Sequence, residues 1–235
     1  MNILFLLKSL NFGGLEIVSS TLANKFVSQG HKVFIFIFFP PKDSIENRLS
    51  NTITIYSQDE YSYSEYNIKS LRKVLIDNKI DIIINQWGLP YIPAYVAKKA
   101  SKGLNVKIIS VYHNDPSANG KLYDCDIHIN KTNNKIKKII LLCKKSIIRF
   151  ITSRSMRYVY NHSDVYQVLS PSFVERFKDF TGIKNPKKLM VQTNPVTIET
   201  GDFVFNPDNK EKEIIYVGRL DSIQKRVYRV IDTWA

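Results

Sequence analysis

Residues 2–18, NILFLLKSLNFGGLEIV, narrow the possible folds more than any other stretch. Five apolar residues from Ile3 to Leu7 read as a strand buried on both faces, bounded by Lys8 and Ser9. A short loop ends in Gly13-Gly14, and Leu15, Val18, Leu22 and Phe26 follow at helical spacing. Strand, glycine turn and helix open a nucleotide-binding α/β unit. Glycines let the backbone approach a ligand closely, and a helix N-terminus offers unpaired N–H groups to anionic or oxygen-rich groups. The dinucleotide fingerprint is excluded, because no third glycine follows at its spacing and no acidic residue ends the second strand. A tight turn with no ligand would also use a Gly-Gly pair.

The rest of the chain repeats the alternation. Lys32–Phe39, Thr52–Tyr56, Asp81–Asn85, Lys107–Tyr112, Asp164–Leu169 and Lys188–Gln192 are short strand candidates. Helical spacing separates most of them, as at Ile68, Leu71, Val74 and Leu75, or from Ile92 to Lys102. Continuous apolar runs alternating with amphipathic helices predict a mostly parallel, Rossmann-like sheet covered on both faces. Ligands bind such sheets outside the carboxyl ends of the strands. Three loops there carry chemistry: Gly13-Gly14, Gln86-Trp87-Gly88 and His113-Asn114-Asp115-Pro116. His113 is suited to orienting hydroxyls or moving protons, or else it caps its strand. Asn114 beside it is a candidate substrate-binding residue. Trp87 is either an aromatic platform for a ligand or a core indole, and Asp115 before Pro116 starts a turn.

The net charge of +13 favours acidic partners, although a Lys-rich solvated surface has the same composition. The charge is uneven. Ile136, Ile140, Cys143, Ile147 and Ile151 recur at helical spacing between Lys131 and Asn161, with Lys138, Lys145 and Arg149 opposite. No Asp or Glu lies between Asp126 and Asp164. Such a helix either rests on an anionic membrane surface or packs on a core with its cationic face in water. Nucleic acid is the weaker expectation, because aromatics for base stacking are few and no binding module is recognisable. Cys125 and Cys143 lack metal-ligand spacing, which fits a reducing, cytoplasmic setting. The first seven residues are too short an apolar run for a secretory signal, and Val33–Phe39 is far below the roughly 20 residues of a membrane span.

Residues 198–212 are polar and read as a linker. Glu213–Val217 then begins a new strand, followed by the loop Gly218-Arg219-Leu220-Asp221 and an amphipathic start at Val227, Val230, Ile231 and Trp234. One strand and part of a helix cannot close a core. Residues 213–235 are therefore expected to open a second, incomplete domain.

With Gly13-Gly14-Leu15-Glu16, His113, Asn194-Pro195 and Gly218-Arg219-Leu220…Gln224-Lys225-Arg226 in order, the chain resembles glycosyltransferase family 4, of the GT-B fold. The passage LANKFVSQGHKV and the segment IIYVGRLDSIQKRVYRVIDTW carry the likeness further. The resemblance implies an acceptor-side Rossmann-like domain over residues 1–197 and the start of a nucleotide-sugar domain over 213–235. It implies a retaining hexosyltransferase in bacterial surface polysaccharide synthesis, with a nucleotide-sugar donor, a glycan or lipid-linked acceptor and no essential metal or other cofactor. Arg219 and Lys225 match the cations that hold the donor diphosphate, where a leaving group gains charge. Gly13 and Gly14 match the loop approaching acceptor and donor phosphates, and His113 the histidine near the reacting centre. Glu16 matches GG-x-E, although a helix's first turn favours acids anyway. Arg226 departs from the glycine often found after the diphosphate-binding lysine, and the family's two spaced glutamates are absent. Residues 1–235 alone are accordingly expected to transfer no sugar. The alternatives are a non-catalytic α/β binding module and, more remotely, a basic nucleic-acid-binding protein.

Overall fold

A computed structural model describes residues 1–117, 120–198, 213, 215–218 and 227–234. Its strands are β1 (Asn2–Leu7), β2 (Lys32–Ile37), β3 (Thr54–Ser57), β4 (Ile82–Asn85), β5 (Lys107–Tyr112), β6 (Val165–Val168) and β7 (Leu189–Val191). They form one sheet in the order β3-β2-β1-β4-β5-β6-β7. Every pairing is parallel, with Leu4 opposite Phe34 on one side and Ile83 on the other. The chain steps outward from β1 to β3, then returns to β4 on the other side of β1. That reversal opens a crevice at the carboxyl edge of the sheet.

The helices are α1 (Gly14–Ser28), α2 (Glu65–Asp77), α3 (Tyr91–Ala100), α4 (Gly120–Lys131), α5 (Lys135–Asn161), α6 (Ser172–Thr181) and α7 (Val227–Trp234). The period-2 alternation of β1 feeds both faces of the sheet. Leu4 and Leu6 join Phe36, Leu71, Leu75, Val96 and Ala97, the layer under α2 and α3. Ile3, Phe5 and Leu7 join Ile35, Ile37 and Ala23, with Leu22 and Phe26 of α1 packed against them. Local signals set the helix ends. Ser64 accepts a bond from the Asn67 N–H at the start of α2, and Gly182 ends α6 with φ +72, a left-handed conformation that favours glycine.

Two expectations are corrected. The helix expected across Lys131–Asn161 begins at Lys135, where Asn134 Oδ1 accepts from the Lys137 N–H at 3.0 Å and caps it. A separate helix, α4, precedes it; its buried residues Leu122, Cys125 and Ile129 are too sparse to stand out against polar neighbours. In the expected strand Glu213–Val217, the described residues Glu213 and Ile215–Val217 are not in a strand. A strand exists through its hydrogen-bonded neighbour in a sheet, and the sheet of the described residues runs from β3 to β7 without this segment.

Met1–Ser117 with Arg149–Thr197 form one compact unit, which holds the whole sheet. Ala118–Ile148 with Ile198–Ala235 form another, in which Lys145 of α5 makes an ion pair with Asp126 of α4.

Candidate functional site

The site begins where β4 stops. Asn85, fully buried, turns the chain by accepting from the Trp87 N–H at 3.1 Å and donating to Ser110 Oγ at 3.1 Å. Ser163 Oγ donates onward to Ser110 Oγ at 2.7 Å, so a buried polar chain ties the ends of β4, β5 and α5 together. Gly88 then lies against β5. Its N–H donates to Val111 O at 2.9 Å, and its own carbonyl accepts from Tyr166 Oη at 2.7 Å. A Cβ on Gly88 would stand 2.7 Å from Val111 O and 2.8 Å from Val111 C, so only glycine fits this close approach. Ser155 of α5 holds the next turn by donating to Leu89 O at 2.7 Å.

This clamped loop places Gln86 under His113. Gln86 is 1 % exposed, and its Oε1 lies 2.7 Å from His113 Nε2. A carbonyl oxygen only accepts, so Nε2 carries the proton and the neutral tautomer is set. Burial pushes the His113 pKa down to about 4, and a hydrogen bond with the Asn194 side chain offsets part of that shift. The imidazole is neutral at physiological pH, equipped to orient a hydroxyl rather than to supply a charge. Asp115 accepts from the Ser117 N–H at 2.9 Å in the expected turn, and it pairs with Arg176.

A cleft of about 170 Å³ opens over these residues, lined by Leu15, Gln86–Pro90 and Tyr112–Asn114. Of the residues singled out from sequence, Trp87, His113 and Asn114 line it together. Trp87 is half-buried against Tyr61, with Lys8 Nζ 5.7 Å from its ring centroid. Its indole Nε1 and the Nε2 of Gln86 are buried donors without a hydrogen-bond partner among the described residues. Buried donors of this kind favour a ligand that brings acceptor oxygens.

Gly13, Gly14 and Glu16 stand at the start of α1, next to the cleft-lining Leu15. Gly13 is the N-cap residue with φ −169, extended backbone open to any residue, and no side chain caps the helix. A Cβ on Gly13 would collide with Glu16 Oε2, so the Glu16 carboxyl folds back over the first turn. Burial raises the Glu16 pKa, and a backbone hydrogen bond partly opposes this. Arg219 and Lys225 lie outside the described residues. Gln86 escaped the sequence reading as a site residue; the available signal was an amide placed directly after the run Ile82–Asn85 at a strand's carboxyl end.

The model of the family Glycosyltransferase Family 4 matches residues 12–200. No curated protein matches the chain. Among solved structures, the chain is similar to Anabaena HepE in complex with UDP and glucose, at 14 % identity and a TM-score of 0.50, covering 82 % of this chain and 44 % of that one. It is also similar to Acinetobacter baumannii MurG, at 15 % identity and a TM-score of 0.46, covering 82 % and 45 % of the two chains. A third is Staphylococcus aureus MnaA with UDP, at 14 % identity and a TM-score of 0.46, covering 83 % and 44 %. The chain spans less than half the length of these three proteins. The likeness to HepE shows the Rossmann-like fold of a GT-B N-terminal domain.

Proposed function

The chain belongs to glycosyltransferase family 4, and on that premise we propose that it carries the acceptor side of a retaining hexosyltransferase acting in bacterial surface polysaccharide synthesis. The donor is a nucleotide sugar and the acceptor a glycan or glycolipid. The observation that carries this reading is the cleft at the carboxyl edge, where neutral His113, Trp87 and Asn114 converge within the family match. HepE, which shares the fold, was solved with UDP and glucose.

In this reading the cleft takes carbohydrate. Trp87 offers an aromatic face to a sugar ring. His113, fixed by Gln86, orients a hydroxyl near the reacting carbon. The start of α1 at Gly13-Gly14 presents backbone N–H groups to phosphate oxygens. Breaking the glycosidic bond leaves negative charge on the departing nucleoside diphosphate, and Arg219 and Lys225 stabilise that charge. No metal is assigned a role, as the family resemblance implies. The setting proposed is the cytoplasm.

Calorimetric titration with uridine and guanosine diphosphates tests the assignment of the two cations. The expected result is binding of one nucleotide, weakened at least about tenfold in the variant Arg219→Ala/Lys225→Ala, since each charge-assisted contact contributes on the order of 1 to 3 kcal/mol. Equal affinity of parent and variant contradicts the assignment.

A further inference from the structure

Helix α5 presents its apolar stripe to solvent. Ile136, Ile139, Ile140, Cys143 and Ile147 fall within about a third of the helix circumference, and Phe150 and Ile151 continue the same line. A core-facing helix would bury that stripe. Instead Ile136 is 71 % exposed, Ile140 61 %, Ile147 59 % and Phe150 62 %. The side opposite the stripe makes the protein contacts. Lys145 pairs with Asp126, the Arg149 guanidinium stands 5.4 Å from the Phe180 ring centroid, and Met156 and Val159 are buried. Lys145 and Arg149 therefore reach neighbouring side chains while the isoleucine stripe faces outward, the reverse of an ordinary surface helix.

We propose that this face docks on an anionic lipid bilayer. Lys135, Lys137 and Lys144, all exposed, flank the stripe at roughly a right angle on either side, where their stems can lie along acyl chains and their ammonium groups reach headgroups. Between Asp126 and Asp164 the chain carries nine Lys and Arg and no Asp or Glu, so the helix itself brings no carboxylate against an acidic surface. A second copy of the chain would bring the same cations against these and is disfavoured by like charge. Ile136 to Ile151 spans about 22 Å, room for a helix lying in the headgroup plane. No described helix is long and apolar enough to cross a membrane, so the contact is with the surface alone. The inference does not depend on the transferase reading.

Flotation with vesicles tests it, using phosphatidylcholine alone and phosphatidylcholine with a quarter phosphatidylglycerol. The protein is expected to float with the anionic vesicles, to stay behind with the neutral ones, and to be released by high salt. The variant Ile136→Ser/Ile140→Ser/Ile147→Ser, altered only at exposed positions, is expected to keep its circular dichroism and lose at least about tenfold in partitioning. Lys135→Gln/Lys137→Gln/Lys144→Gln is expected to lose about a hundredfold, since each cation near the surface contributes about a factor of five. Equal partitioning onto both vesicle types overturns the proposal, as does unchanged partitioning of the isoleucine variant. Self-association in sedimentation that the isoleucine variant abolishes, without vesicle binding, assigns the face to contacts between copies and also overturns it.

Discussion

Gln86 Oε1 and His113 Nε2 meet at 2.7 Å, joining the loop after β4 to the loop after β5 beside the point where the strand order reverses. The bond places an imidazole at the carboxyl edge, selects its tautomer and fixes His113 in the lining of the cleft. Loops supply the chemistry, but the two strand ends set its position.

The pH response of His113 follows from its burial. The folded state holds the ring neutral with a pKa lowered to about 4, while the unfolded chain protonates it near the ordinary value of 6.5. Between these values the unfolded state binds more protons, so stability rises with pH. The His113 contribution is therefore fully present above about pH 6.5, falls as the pH drops and levels off below about 4, with a span of at most about 3 kcal/mol. The His113 ring resonances in an NMR titration are expected to move near pH 4. A midpoint near 6.5 contradicts the burial assigned to the ring.

Changing the partner tests the pairing. Gln86→Leu removes the acceptor from a half-buried N–H and also removes the orphaned Gln86 Nε2. The two effects oppose, so the expected loss is about 1 kcal/mol in chemical denaturation. Gln86→Glu sets a carboxylate against Nε2 and is expected to raise the His113 midpoint well above 4, because an adjacent opposite charge favours the imidazolium. An unmoved midpoint means the two side chains do not face each other in solution.

Gly88 is the position where the loop tolerates least change. An added methyl would stand 2.9 Å from Tyr112 Cβ and still closer to the Val111 backbone, and strand backbone cannot give way as a flexible side chain can. Gly88→Ala is expected to cost about 1 to 3 kcal/mol and to shift the emission of neighbouring Trp87. Gly13→Ala meets only the movable end of Glu16 and is expected to cost less than about 1 kcal/mol. Equal losses at both positions contradict the packing described for Gly88.

Much of this architecture is legible in the sequence. β5 spans Lys107–Tyr112 in both the reading and the structure, because an unbroken apolar run in a doubly covered sheet needs no tertiary information to be seen. β3 runs over Thr54–Ser57 rather than Thr52–Tyr56, since its register is set by pairing with Phe34–Ile37. The convergence of Trp87, His113 and Asn114 was readable from their places after strands. Gln86 was not, because its role comes from a bond to a residue 27 positions away. The direction of α5 was not legible either. Both of its faces carry apolar residues, and periodicity alone does not say which of two stripes the protein covers.

Whether the cleft takes carbohydrate is read most directly by selective labelling of the His113 and Trp87 rings. Titration with a panel of nucleotide sugars and short glycans is expected to shift both sets of ring resonances together, with the response abolished in His113→Ala. If none of these ligands perturbs either ring while the fold is intact, the cleft is not a carbohydrate site and the proposed function is contradicted.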